Sequence, residues 1–550
     1  MRLVRSVVLA TAIATCLGVA PETPAQSASA TSRHKQVDRL FQPPDGKPSP
    51  GCAVGISKDG ALDYARGYGM SNLEQGVPMA PDTVLHVGSI AKQFTAFSIG
   101  LLAQEGKLSL DDDVRKYVPE MPDYGKTITL AHLVHHTNGL REQGQLLNLA
   151  GWRGDDVYTE ADILRVLSRQ RQLNFAPGTE VVYGNAAYTL LGLVVKRVSG
   201  KPLREFAQER IFEPLGMTDS RFRDDHTALV PRRSPAYVAR AGGGWDIAVP
   251  NIDHYGSTSL LTTVGDLLKW EQNLVDARVG GPALIKWMET SGVLNDGTPI
   301  EYGAGLRLGS YRGVRMVSHD GADGGYRADS ILFPDQRLAI VALCNAGGSG
   351  PNELVRKVAD IYLGDSARGR RFAPPVAMPE AEQSVLAGAY WSPLTDEVVR
   401  LEWKDGALRQ VDAPTVMVPV GKGVFRLGES QQEWRFKGSE LTIRDFWPTT
   451  RGFVRITDPL PGPEALAVLA GDYRSEETEM TYTVRVEGGK LRLTWPRAYD
   501  LTLEAVGGDR FIGSRGTVTF AREASGEVTG LTISNRRLRR LAASRVDAES

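Results

Sequence analysis

Cysteine is nearly missing from this chain, with three in 550 residues. Cys16 falls in an apolar N-terminal stretch, which leaves Cys52 and Cys344 for everything else. Two thiols cannot build a disulfide scaffold, and no cysteine and histidine pair has the spacing of a zinc site. Net charge is also almost absent, at -1. Such a balance gives no sign of an electrostatic grip on nucleic acid or anionic lipid, and neither partner is expected. Apolar runs are short: the longest, residues 7–20, is too brief for a membrane span. Arg2 and Arg5 precede this run and Ala28-Ser29-Ala30 follows it, which are the parts of a secretory signal. Residues 1–30 are expected to be a removable leader, and the mature chain to be exported, periplasmic or secreted, without a stable membrane span. No motif calls for a cofactor or a metal, and neither is expected.

What is present begins with Ser89 and Lys92 in Val87-Gly88-Ser89-Ile90-Ala91-Lys92-Gln93-Phe94-Thr95. Ile90, Phe94, Phe97 and Leu101 recur at helical spacing, and Gly106 is a plausible stop. On a helix, residues three apart share a face, so the lysine can reach the serine hydroxyl. A first-turn serine also sits where unpaired amides and the positive dipole end favour an anion. This is the layout of an activated nucleophile. Alone it is weak, because a Ser-x-x-Lys arises by chance about once in a chain of this length. Two later landmarks strengthen it. Tyr183-Gly184-Asn185 precedes an apolar helix over residues 188–198, and His319-Asp320-Gly321 ends a strand-like run before a glycine-rich turn.

In this order and at these separations, the three elements resemble the serine β-lactamase and D,D-peptidase superfamily, in its class C-like branch. Further segments extend the resemblance over about residues 40–350, among them His132-Leu133-Val134-His135-His136-Thr137-Asn138-Gly139-Leu140 and Pro214-Leu215-Gly216-Met217. The resemblance implies Ser89 as acyl-forming nucleophile, with Lys92 and Tyr183 sharing its proton. Asn185 and Gly321 would then meet the substrate. The backbone amides of Ser89 and Ala322 would form the oxyanion hole. His319 stands where β-lactamases carry lysine, a pattern similar to D-aminopeptidases and related esterases. If it contacts substrate or the tyrosine–lysine pair, activity should respond between about pH 5 and 8. Asp320 adds negative charge near where a carboxylate would bind. The three clustered histidines are read as packing a turn rather than binding metal. The expected substrates are peptides or amides containing D-residues. A carboxylesterase or weak β-lactamase is the second reading, and a penicillin-recognising sensor with little turnover the third.

The fold expected is mixed α/β. Residues 53–58 and 61–68 read as strands joined at Asp59-Gly60, helical patterns fill the middle, and strands return at 313–318, 326–333 and 338–344. In the related fold these five strands form one antiparallel sheet with flanking helices and a helical lobe. Its first and last strands are neighbours there, which would bring Cys52 and Cys344 together; free thiols and a bond both remain open. The hydrolase domain is placed at 31–367 and a polar linker at 368–385. Residues 386–550 form an all-β tail resembling a lipocalin-like barrel. Leu386-Ala387-Gly388-Ala389-Tyr390 recurs as Leu469-Ala470-Gly471-Asp472-Tyr473, so the barrel is expected to contain two repeats. Neither repeat carries any of the three motifs, and the tail is expected to be separable from the chemistry.

Overall fold

The computed structural model describes residues 24–43, 46–248, 251–370, 372–411, 415–428, 430, 432–444, 450–497 and 499–546. Most of the expected leader lies outside these residues; Pro24–Phe41 form helix α1.

Residues 52–344 are organised around one antiparallel sheet. Its strands are β1 (Cys52–Lys58), β2 (Ala61–Tyr68), β3 (Arg307–Tyr311), β4 (Val314–Asp323), β5 (Tyr326–Phe333) and β6 (Leu338–Cys344), in the order β3-β4-β5-β6-β1-β2. The sheet thus has six strands rather than five. The extra edge strand, β3, is joined to β4 by Arg312-Gly313, both at positive φ (51° and 86°). An arginine in the left-handed region gives no turn signal in sequence, which is why β3 was not anticipated.

Alternation along β1 and β6 sorts side chains to two cores. Ala53, Val341 and Leu343 join the core under the helical lobe, whereas Val54, Ile56, Ile340 and Ala342 face the opposite layer. Helix α4 (Val264–Asp276) covers the first face; α1 and α5 (Pro351–Leu363) cover the second. Gly55 allows the first contact, since a Cβ there would stand 3.0 Å from Val264 and from Leu268. Cys52 lies opposite Cys344 in the β1–β6 register, and the two are bonded.

At the lobe's centre, α2 (Ala91–Gln104) packs against α3 (Asn185–Ser199). Residues 91–102 are buried all round, so α2 is a core helix rather than an amphipathic surface one.

The tail is not one barrel. Residues 388–455 make an eight-stranded antiparallel sheet, and residues 471–546 a separate closed barrel of eight strands. Equivalent residues lock each unit. Tyr390 donates to the Leu386 carbonyl at 2.9 Å, and Tyr473 to the Leu469 carbonyl at 2.7 Å. Arg455 lies over the first ring and Arg545 over the second. Each arginine closes on a glycine, Gly388 or Gly471, whose φ near +145° suits no other residue (143° and 149°).

Candidate active site

A short turn, Gly88–Ile90, carries Ser89 into α2. Gly88 has φ +53°, and a Cβ on it would come within 2.7 Å of the Ala322 nitrogen. From the other side, a Cβ on Gly321 would lie 1.9 Å from the Val87 carbonyl oxygen. The two glycines therefore let the end of β4 lie flush against the serine turn. This close approach brings the backbone of Ala322 beside that of Ser89, as an oxyanion hole requires.

Lys92, one helical turn on, is fully buried. Its Nζ donates to Ser89 Oγ (3.0 Å), Asn185 Oδ1 (2.8 Å) and the Ser257 carbonyl (2.8 Å). Burial penalises the ammonium and pulls its pKa down to about 7; the Glu142 carboxylate acts in the opposite direction. The amine can thus be neutral near neutral pH and accept a proton from Ser89.

Tyr183 stands beside this pair, its ring centroid 4.9 Å from Lys92 Nζ. Burial pushes its phenol well above the ordinary tyrosine range, and a hydrogen bond with Ser89 only partly offsets that. Tyr183 therefore keeps its proton when Lys92 loses one. Asn185, first residue of α3, offers its oxygen to Lys92 while its Nδ2 donates to Glu142 Oε1 (3.0 Å) and its backbone N–H to Glu142 Oε2 (2.6 Å). Glu142, itself buried, fixes which way the carboxamide faces. No motif in the sequence marks it. Its only signal is its position two residues beyond the His132–Leu140 segment.

His319 lies behind the site. It is 1% exposed, its Nε2 is 3.2 Å from the Tyr302 hydroxyl, and its Nδ1 is 2.6 Å from the Asp320 carbonyl. Burial, reinforced by Arg307, pushes its pKa down to about 3. The imidazole is neutral across pH 5–8, so the titration expected in that range does not belong to it. Asp320 does face the cavity, but Arg307 pairs with it at 2.7 Å and offsets its charge. The clustered histidines serve packing: His132 accepts from the Thr129 backbone N–H in a capping box, and His136 stacks near Tyr183, Tyr188 and Tyr302. Among the described residues, Asp225, His226 and Asp253 form the one group spaced to hold a metal, and they do not line this cavity.

The cavity at Ser89 has a volume of about 430 Å³. One wall comes from the hydrolase domain, including Tyr183, Asn185, Arg307 and Ala322. The other comes from the tail: Leu394, Thr395 and Arg451 from the first β unit, and Arg536, Arg537 and Arg539 from the barrel. The tail therefore lines the site, although it carries none of the three motifs. Arg537 sits in the turn between barrel strands Val528–Asn535 and Leu538–Val546. Its guanidinium lies 5.3 Å from the Tyr183 ring centroid. Its carbonyl accepts the Glu142 backbone N–H (3.1 Å) and Asn174 Nδ2 (3.0 Å). A contact between residues nearly 400 positions apart leaves no trace in local sequence.

Comparisons with known proteins agree with this geometry. A family model described as Beta-lactamase matches residues 37–363. A D-aminopeptidase of Gluconobacter oxydans (strain 621H) is 27% identical over 447 residues, covering 80% of this chain and 83% of that protein. A D-aminopeptidase of Brucella anthropi is 27% identical over 508 residues, covering 88% of this chain and 93% of its own. The octameric penicillin-binding protein homologue from Pyrococcus abyssi superposes with a TM-score of 0.54 at 22% identity, over 87% of this chain and all (100%) of that one. These alignments extend beyond the hydrolase domain into the tail.

Proposed function

We propose that this chain, which belongs to the beta-lactamase family, is an exported serine hydrolase that forms an acyl-enzyme on Ser89 and cleaves amide bonds next to D-residues. The observation that carries the reading is the 3.0 Å contact between Ser89 Oγ and a buried Lys92 whose pKa lies near 7. In the first half-reaction neutral Lys92 takes the hydroxyl proton as Oγ attacks the carbonyl carbon. The backbone amides of Ser89 and Ala322 receive the oxyanion. Collapse breaks the C–N bond, and a proton relayed through Lys92 or the Tyr183 phenol leaves with the amine. A water molecule then hydrolyses the ester by the reverse route and returns the proton to Ser89.

Preference for D-residues is supported by the two D-aminopeptidase relatives. Export is supported by the leader-like residues 1–30 and by the Cys52–Cys344 bond, since disulfides persist in oxidising compartments. No helix among the described residues is long and apolar enough to cross a membrane.

The test is a fluorophosphonate label followed by a panel of D- and L-aminoacyl amides, esters and a labelled penicillin. Ser89 should be the labelled residue, and D-amides should be turned over faster than L-amides. Ser89→Ala should lose labelling and at least about 10⁴-fold in kcat with its fold intact. Equal turnover of both enantiomers, or rapid hydrolysis confined to esters, would reject the D-amidase reading. Stable penicillin acylation without turnover would favour a sensor.

A further inference from the structure

The cavity around Ser89 is unevenly charged. Five arginines line it, at 307, 451, 536, 537 and 539, against two carboxylates, Glu180 and Asp320. Both carboxylates are already engaged: Asp320 with Arg307 at 2.7 Å and Glu180 with Arg539 at 2.8 Å. Arg451 is held by Glu397 at 2.9 Å. Arg537 differs. Among the described residues no carboxylate lies within ion-pair distance of its guanidinium, although its backbone is pinned on both sides. Its N–H donates to Asn535 Oδ1 (3.0 Å), and its carbonyl accepts from Glu142 and Asn174. A half-buried guanidinium on a fixed backbone, set over the catalytic tyrosine, is preorganised to receive an anion.

We propose that Arg537, delivered by the barrel's hairpin, binds a carboxylate of the substrate within one residue of the scissile bond. The preferred substrates of this hydrolase are then short D-peptides with a free acid group, rather than neutral amides or esters. The inference rests on the D-amidase reading above. The carboxylate can be the peptide's own C-terminus or an acidic side chain, since a guanidinium forks onto either. The same cation lies close enough to Lys92 and Tyr183 to favour their deprotonated forms, so a purely electrostatic role on the catalytic pair is the competing explanation.

Three substrates separate these possibilities: D-alanyl-D-alanine, D-alanyl-D-alaninamide, and D-alanyl-D-glutamic α-amide, which moves the carboxylate to a side chain. The wild type should favour the acids over the neutral amide by at least about tenfold in kcat/KM, chiefly through KM. Arg537→Gln should collapse that ratio toward one, and Arg537→Lys should keep part of it. The acid that loses more identifies the source of the carboxylate. A ratio unchanged in Arg537→Gln, or an equal fall on all three with a displaced pH profile, overturns the proposal in favour of the electrostatic role. Binding is also read without turnover, as the ligand-dependent rise in Tm of Ser89→Ala and of Ser89→Ala/Arg537→Gln. There a greater rise with the acids, lost with Arg537, supports the proposal, and equal rises reject it. If the wild type hydrolyses none of the three, the D-amidase reading fails, and the Tm comparison still decides the role of Arg537.

Discussion

The two β units of the tail share a local lock, Tyr390 with Arg455 and Tyr473 with Arg545, yet they stand in different relations to the catalytic lobe. The first has its own core, built on residues such as Leu408, Phe425, Trp434 and Phe453. The core of the closed barrel is instead continuous with that of the lobe: Tyr482, Leu493 and Trp495 belong to the same apolar cluster as Phe94 and Leu146. Its polar contacts follow suit. Tyr482 donates to the Leu149 carbonyl and Trp495 to that of Asn148, while Arg141, 1% exposed, is paired with Glu477 of the barrel. A common local design has therefore produced one wall that adjoins the lobe and one module fused to it. What separates them is the surface the barrel shares with residues 141–149 of the lobe, not the strand pattern.

The strongest way to break this contrast is to remove the barrel alone. A chain ending after residue 462 keeps the first unit but uncovers the lobe's share of the common core. Soluble yield should fall sharply, and hydrolysis of a small ester by any folded fraction should drop by at least about 10³-fold, because Glu142 loses its Arg537 partner. A soluble truncation with full activity would show that the barrel is a passenger. Next comes the relay itself. Glu142→Gln leaves one oxygen to accept two donors from Asn185, and kcat/KM should fall about 10- to 100-fold. The pH profile supplies the sign. In the mechanism proposed above neutral Lys92 is the competent form, so activity should rise as pH passes about 7. Removing the Glu142 anion removes what holds that pKa up, so the rising limb should move to lower pH. A limb that moves upward would mean Glu142 does not act on Lys92.

Smaller effects sharpen the comparison in stability. Glu477→Gln strands a buried guanidinium and should cost about 3–5 kcal/mol in denaturant unfolding. Glu397→Gln breaks the more open pair with Arg451, 13% and 16% exposed, and should cost about 1 kcal/mol or less. Similar costs for both would erase the distinction between fused and adjoining units. Smallest is a change outside the contrast. Glu271 is buried against Ser330, and burial raises its carboxyl pKa to about 7. A raised folded pKa contributes stability that is present below the unfolded value and is lost as pH rises through the folded one. Glu271→Gln should therefore gain Tm relative to wild type at pH 8 but not at pH 4. A pH-independent difference would mean the carboxyl does not titrate there.

Legibility in the sequence followed the range of the interactions. Ser89 and Lys92 are one turn apart, and Tyr183 and Asn185 two residues apart, so each pair forms a short local motif, and the order of the motifs carries the family resemblance. The Asp59-Gly60 turn announced β1 and β2 because both residues suit positive φ. Glu142 and Arg537 act across 43 positions and more, through a carboxamide and a backbone carbonyl. Neither contact imposes a pattern on its neighbours in sequence. The place of His319 in a motif is visible in the sequence, but burial decides its chemistry, and burial is a property of the packed sheet. The repeat in the tail was visible as a recurring pentapeptide. That each copy builds its own eight-stranded unit depends on pairings between strands, which the pentapeptide does not encode.

The Cys52–Cys344 bond has one more consequence, for cleavage of the chain itself. It joins the strand that opens the hydrolase sheet to the strand that closes it, 292 positions later. The whole helical lobe, with Ser89, Lys92, Tyr183 and Glu142, hangs within that covalent ring. A protease that nicks an exposed lobe loop once, for example near Leu229, which is 95% exposed, opens the ring without releasing either piece. A clipped molecule would run as one band until a reductant is added and as two afterwards, and it would keep Ser89 and its sheet together in the meantime.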